Sequence, residues 1–208
     1  MKWEDFYKKF GHCPIITPPM LYASEENKAI LQVQLSRWVK DKKLIKLSRE
    51  KYVFREPYQK KDLSLPYIAN QLVYPSYVSL EYALSYHGLI PEAVYSVTSI
   101  TTQRPVTHST EIAVFSFRHV KQSMFWGFEP RRINLVEFLI ATPEKALLDT
   151  FYFWRAHVTK ERMDEMRFQN LDQLNVNKLM TYTERTKSKK LSKIINRYFI
   201  PLLHEEAA

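Results

Sequence analysis

The chain has 208 residues, a formal net charge of +9 and a pI near 9.5, with 45% hydrophobic and 14% aromatic residues. That composition excludes a disordered or fibrous chain, and the length suits one large domain or two small ones. Three glycines leave no GxGxxG or P-loop motif, the single Cys13 allows no intrachain disulfide, and no apolar run reaches the ~20 residues that span a bilayer.

The opening "MKWEDFYKKF" is charged throughout and has no apolar signal core, so a soluble cytoplasmic protein is expected. Trp3, Phe6, Tyr7 and Phe10 fall at helical spacing and predict a first helix, with Gly11 as its stop. Thr17 before Pro18 and Pro19 starts a short second helix. "ENKAILQVQLSRWVKDKK" predicts a third, longer one. Its apolar stripe is Leu31, Leu35, Trp38 and Val39, with Arg37 and Lys40 opposite and Gln32 and Ser36 on the flanks.

The period then changes. "LIKLSREKYVF" alternates apolar and polar residues around the turn "SREK", a β-hairpin signal. Three short helices and a basic hairpin are the plan of a winged helix-turn-helix. In that plan the third helix reads bases in the major groove and the hairpin is the wing. The candidate DNA-binding residues are Lys28, Gln32, Ser36, Arg37 and Lys40 on the helix, and Lys46, Arg49 and Lys51 on the wing. Lysine and arginine neutralise phosphates, whereas Gln and Arg match adenine and guanine edges.

Charge supports this division. Residues 1–61 carry 14 Lys and Arg against 7 Asp and Glu, residues 62–153 carry 6 against 8, and residues 154–208 carry 11 against 7. The basic excess lies in the first segment and the tail, as in a protein with a nucleic-acid module at one end. We therefore expect two domains: a winged helix-turn-helix over 1–61, able to bind duplex DNA alone, and a mixed α/β domain with a helical tail over 62–208. The fold class is α+β.

"REPYQKKDLSLP" reads as the linker. Beyond it, Ile68, Ala69 and Leu72 suggest a short helix, and Tyr77 to Tyr86 another that Gly88 ends. Four strands are expected, in "VYSVTSITT", "EIAVFSFRHV", "MFWGFEP" and "INLVEFLIAT". Thr142 and Pro143 then cap and open the helix "PEKALLDTFYF". The tail reads as two or three helices, the last basic from Lys187 to Arg197.

"QLSRWVKDKKLIKLSREKYVF", "YVSLEYALSYHGLIPEAVYSVTSITTQRP" and "ATPEKALLDTFYF" together resemble the AbiEi family over most of the chain to about Trp154. These are winged-helix antitoxins of bacterial type IV toxin–antitoxin systems. The resemblance implies an N-terminal domain that represses its own promoter. It also implies a C-terminal domain that counters a nucleotidyltransferase-like toxin, with or without a stable complex. One departure stands in the wing. The family commonly has an Arg-Gly-x-Tyr turn, and here the residues are Arg49, Glu50, Lys51 and Tyr52. Without the glycine, positive φ is costly, and Glu50 would repel phosphate.

The alternative is a metal-dependent nucleic-acid-processing enzyme. Glu111, Glu137 and Glu144 suggest one, but no Asp occurs between Asp62 and Asp149 to lead a metal site. The histidines (His12, His87, His108, His119, His157 and His204) show no zinc spacing, and Ser79, Ser96 and Ser109 lack a GxSxG context. The aromatics of "FSFRHVKQSMFWGF" are expected in the core. No catalytic residue, metal or cofactor is expected.

Overall fold

The computed structural model describes residues 1–23, 27–60, 62–133, 135–154 and 158–206, and among these it is a mixed helix-and-sheet protein. The first 54 residues form helices α1 (Trp3–Phe10), α2 (Pro18–Tyr22) and α3 (Lys28–Lys40), then an antiparallel hairpin of β1 (Leu44–Ser48) and β2 (Lys51–Phe54). Asn27 caps α3 by accepting from the Ile30 N–H at 3.2 Å, a contact worth about 1 kcal/mol. Leu31, Leu35 and Trp38 of α3 are buried against Phe6 and Phe10 of α1, with the Phe6 and Trp38 ring centroids 4.6 Å apart. Ile16 exchanges both backbone hydrogen bonds with Tyr52, so the segment before α2 pairs with the hairpin as well.

The turn takes the form that its residue types disfavour. Glu50 adopts φ 58°, the left-handed conformation that a glycine would take cheaply.

The hairpin belongs to two cores. Leu44, Tyr52 and Phe54 close over the helices. Ile45, Leu47 and Val53, with Ile15, join the main core of the rest of the chain. β1 also packs against the edge strand of the large sheet. The expected wing is therefore a wedge between two bodies of side chains, and only Lys46, Arg49 and its other polar positions reach water.

The large sheet has six strands: β3 (Ser76–Val78), β4 (Val97–Thr101), β5 (Val106–Ser109), β6 (Val114–His119), β7 (Phe128–Ile133) and β8 (Val136–Ala141). Their order is β5-β6-β4-β3-β8-β7. The inner pairs β4/β6 and β3/β8 are parallel, and both outer pairs are antiparallel. Helices α4 (Leu65–Leu72) and α5 (Leu80–Tyr86) pack on the central strands. α6 (Pro143–Phe153), capped by Thr142, is buried from Glu144 to Phe151 between α5 and the tail helices. The tail comprises α7 (Lys160–Glu165), α8 (Val176–Thr186) and α9 (Lys189–Ile194), which passes through a π turn into α10 (Ile200–Glu206).

Two expectations change in detail. Tyr77 and Val78 are strand, not helix; α5 starts only at Leu80, whose φ of 59° breaks the chain direction. The strand expected over "MFWGFEP" starts at Phe128. Gly127 before it has φ 78°, and a Cβ there would lie 3.0 Å from the Lys145 side chain, a close approach that only glycine tolerates.

Candidate nucleic-acid interface

One side of α3 is spent on the core, and the other is open. Ala29, Gln32, Val33, Ser36, Arg37 and Lys40 line a shallow groove along its exposed face. Spacings of three and four residues bring them onto one face, so Gln32 and Ser36 stand beside Arg37 and Lys40 and not only on their flanks. Arg37 and Lys40 occupy the last turn, where the helix dipole favours cations. Two apolar residues break the amphipathic pattern: Val33 is 56% exposed and Ile30 51% exposed. A valine on a base-reading face suits a thymine methyl, and its place in the polar stripe was the signal that could have identified it.

The remaining expected residues divide. Lys28 sets its ammonium 4.5 Å from the Tyr22 ring centre, a cation–π contact. Ser36 donates its hydroxyl to the Gln32 carbonyl at 2.9 Å, and so keeps acceptor capacity outward. Lys46 is exposed on β1 and Arg49 is exposed at the turn. Lys51 is directed the other way. Its ammonium donates to the carbonyls of Gln71 at 2.7 Å and Leu72 at 2.8 Å, the open C-terminal end of α4. Burial holds its pKa below the ordinary lysine value. The lysine expected on phosphate thus fastens the hairpin to the second half of the chain.

Sequence reasoning missed what Glu50 does. Its carboxylate accepts from the Tyr22 hydroxyl and from the Gln32 amide, the latter at 3.0 Å. The hydrogen bond to Glu50 raises the Tyr22 phenol above its ordinary pKa, so Tyr22 stays a donor. No spacing rule links residues 22, 32 and 50; the turn conformation does.

The carboxylates considered for an enzyme lie apart. Glu111 pairs with Arg55, Glu137 is exposed on β8, and buried Glu144 accepts from the Asn175 N–H at 3.2 Å and pairs with Lys178 at 2.9 Å. Among the described residues no three His, Cys, Asp or Glu side chains gather as metal ligands. A separate polar cluster is sealed in the core. Lys145 and Asp149 pair one turn apart on α6, both fully buried. Tyr77 and Ser79 donate to Asp149 at 2.9 and 2.8 Å, and Lys145 donates to the Tyr77 oxygen at 3.0 Å. Desolvation raises Asp149 above the usual carboxylate value, with Lys145 opposing it.

No protein-family model matches the chain, and no curated protein matches it. Among the described residues no helix is long and apolar enough to cross a membrane.

Proposed function

We propose that the first 54 residues are a winged helix-turn-helix that binds double-stranded DNA, with α3 in the major groove. The observation that carries this reading is the exposed face of α3. It sets Gln32, Ser36 and Arg37 beside Lys40, while the opposite face is locked onto α1 and the hairpin. Gln and Arg read base edges, and Lys46 and Arg49 supply phosphate contacts from the hairpin. The resemblance to AbiEi antitoxins extends this to repression of the chain's own promoter. It also assigns the second half of the chain, as a binding platform and not a catalyst, to countering a nucleotidyltransferase-like toxin in the cytoplasm.

Fluorescence anisotropy of the full chain with DNA from upstream of its own gene tests the first part. Binding should weaken between 50 and 200 mM salt with a log–log slope of about −0.9 per phosphate contact. Salt-independent binding, or none, overturns it. Co-expression with the neighbouring gene tests the second part: the full chain should restore growth that the neighbour arrests.

A further inference from the structure

Glu50 sits at the tip of the hairpin, and its side chain is anchored on the reading helix. A carboxylate only accepts hydrogen bonds, so the Gln32 amide beside it must turn its NH2 end inward. The opposite orientation would set oxygen against oxygen. Tyr22 holds the same carboxylate from α2, and Lys28 covers the Tyr22 ring. The carboxylate is therefore gripped from two helices, and the polarity of the Gln32 amide is set before DNA arrives.

We infer that Glu50 is a specificity-determining positioning residue: it presents the Gln32 carbonyl oxygen as a fixed acceptor, so Gln32 selects a base with an exocyclic amino group. In the major groove those bases are adenine, through N6, and cytosine, through N4; guanine and thymine offer acceptors there. The second amide hydrogen can still meet a purine N7, which ranks adenine first. A glutamine without this neighbour could flip and accept either class. The inference rests on the DNA-binding reading above and adds which base chemistry one position of the site demands.

The experiment uses the full chain. Selection from random duplexes defines the preferred site. Affinities at one salt concentration are then measured for all four bases at each position, for wild type and for Gln32→Ala, Glu50→Gln and Glu50→Ala. Wild type should prefer adenine or cytosine about tenfold at one position, and Gln32→Ala should erase that preference alone. Glu50→Gln can donate to Gln32, so it frees the amide to turn. It should flatten the same position to within about twofold or shift it toward guanine or thymine. Glu50→Ala should flatten it too. The inference is overturned if the position governed by Gln32 demands guanine or thymine, or if both Glu50 variants keep the wild-type preference there. Sequence-independent binding by wild type also overturns it but leaves DNA binding standing, whereas a chain that binds no duplex overturns both.

Discussion

The Lys51 ammonium on the hairpin and the Leu72 carbonyl at the end of α4 lie 2.8 Å apart, which ties the hairpin to the sheet domain through a charge-assisted bond. Lys51→Met should therefore lower stability by about 1–2 kcal/mol, at the low end for a bond to a charged group because the ammonium is only half-buried. It should leave the salt slope of DNA binding unchanged. Lys46→Ala or Arg49→Ala should do the reverse, each reducing the slope by about 0.9 with little effect on the melt. Denaturant midpoints and salt titrations on the three variants separate the two roles. A reduced slope for Lys51→Met would return it to the phosphates.

Arg37 stands on the open face of α3, one turn from Gln32 and beside Lys40. Arg37→Ala should weaken the preferred site by about 1–3 kcal/mol and relax choice at one base pair. Lys40→Ala should weaken all sequences alike. Identical binding profiles for the two variants would refute the assignment of Arg37 to a base.

The buried Lys145–Asp149 pair gives a sharp stability test. Asp149→Ala leaves an ammonium stranded where both partners are fully buried, and should cost about 3–5 kcal/mol. The double variant Lys145→Met with Asp149→Leu removes both charges and should recover most of that loss. Urea denaturation of the three proteins measures it, and a double variant as unstable as the single one would show that the hydrogen bonds from Tyr77 and Ser79 outweigh the charge.

His87 predicts an acid-side loss of stability. Its Nε2 lies 2.8 Å from the Ala141 carbonyl oxygen. Burial depresses its pKa below the ordinary 6.5, Arg131 adds to this, and the Ala141 carbonyl, Glu129 and Glu144 oppose it. The unfolded chain thus takes up a proton at a higher pH than the folded one. The contribution is complete above about pH 6.5 and lost as pH falls toward the depressed value, by at most about 1.4 kcal/mol per pH unit. His108 shifts the same way, through burial and then Lys51. His87→Gln, which keeps a donor for Ala141, should flatten the stability profile between pH 5 and 7 without abolishing its slope. An unchanged profile would mean that His87 is not the titrating group.

A fragment of residues 1–60 should not fold cooperatively. Ile15, Ile45, Leu47 and Val53 are at most 6% exposed in the whole chain, and cutting after the linker would give all four to water. At about 1.5–3 kcal/mol for each large apolar side chain, that loss rivals the stability of so small a unit. A thermal melt followed by circular dichroism should show no sharp transition for the fragment, and its DNA affinity should fall at least tenfold. A cooperative melt with full affinity would make the shared hairpin face dispensable.

Much of this architecture is legible in residue spacing. The stripe Leu31, Leu35, Trp38 places α3, and the alternation from Leu44 to Phe54 places the hairpin. Thr142 and Pro143 mark the start of α6 to the residue. What periodicity hides is pairing over long sequence separation. Ile16 meets Tyr52 in a single bridge too short to show alternation. β3 has three residues, all buried, so it carries no polar face to alternate. β5 is the opposite case, exposed along most of its length. The candidate site divides similarly. The outward residues of α3 follow from helix geometry alone. The turning of Lys51 toward α4 and of Glu50 toward Gln32 depends on which side of the hairpin meets which neighbour, and both faces of this hairpin are apolar.

That double-sided hairpin also sets the geometry of any larger assembly. With Ile45 and Val53 in one core and Leu44 and Phe54 in the other, α3 and the six-stranded sheet have no hinge at the hairpin. A protein gripping the sheet would be carried around the duplex at a fixed azimuth. Two chains on neighbouring sites would meet face to face only when those sites are separated by whole turns of about 10.5 base pairs, and a half-turn insertion would put their sheets on opposite sides of the DNA.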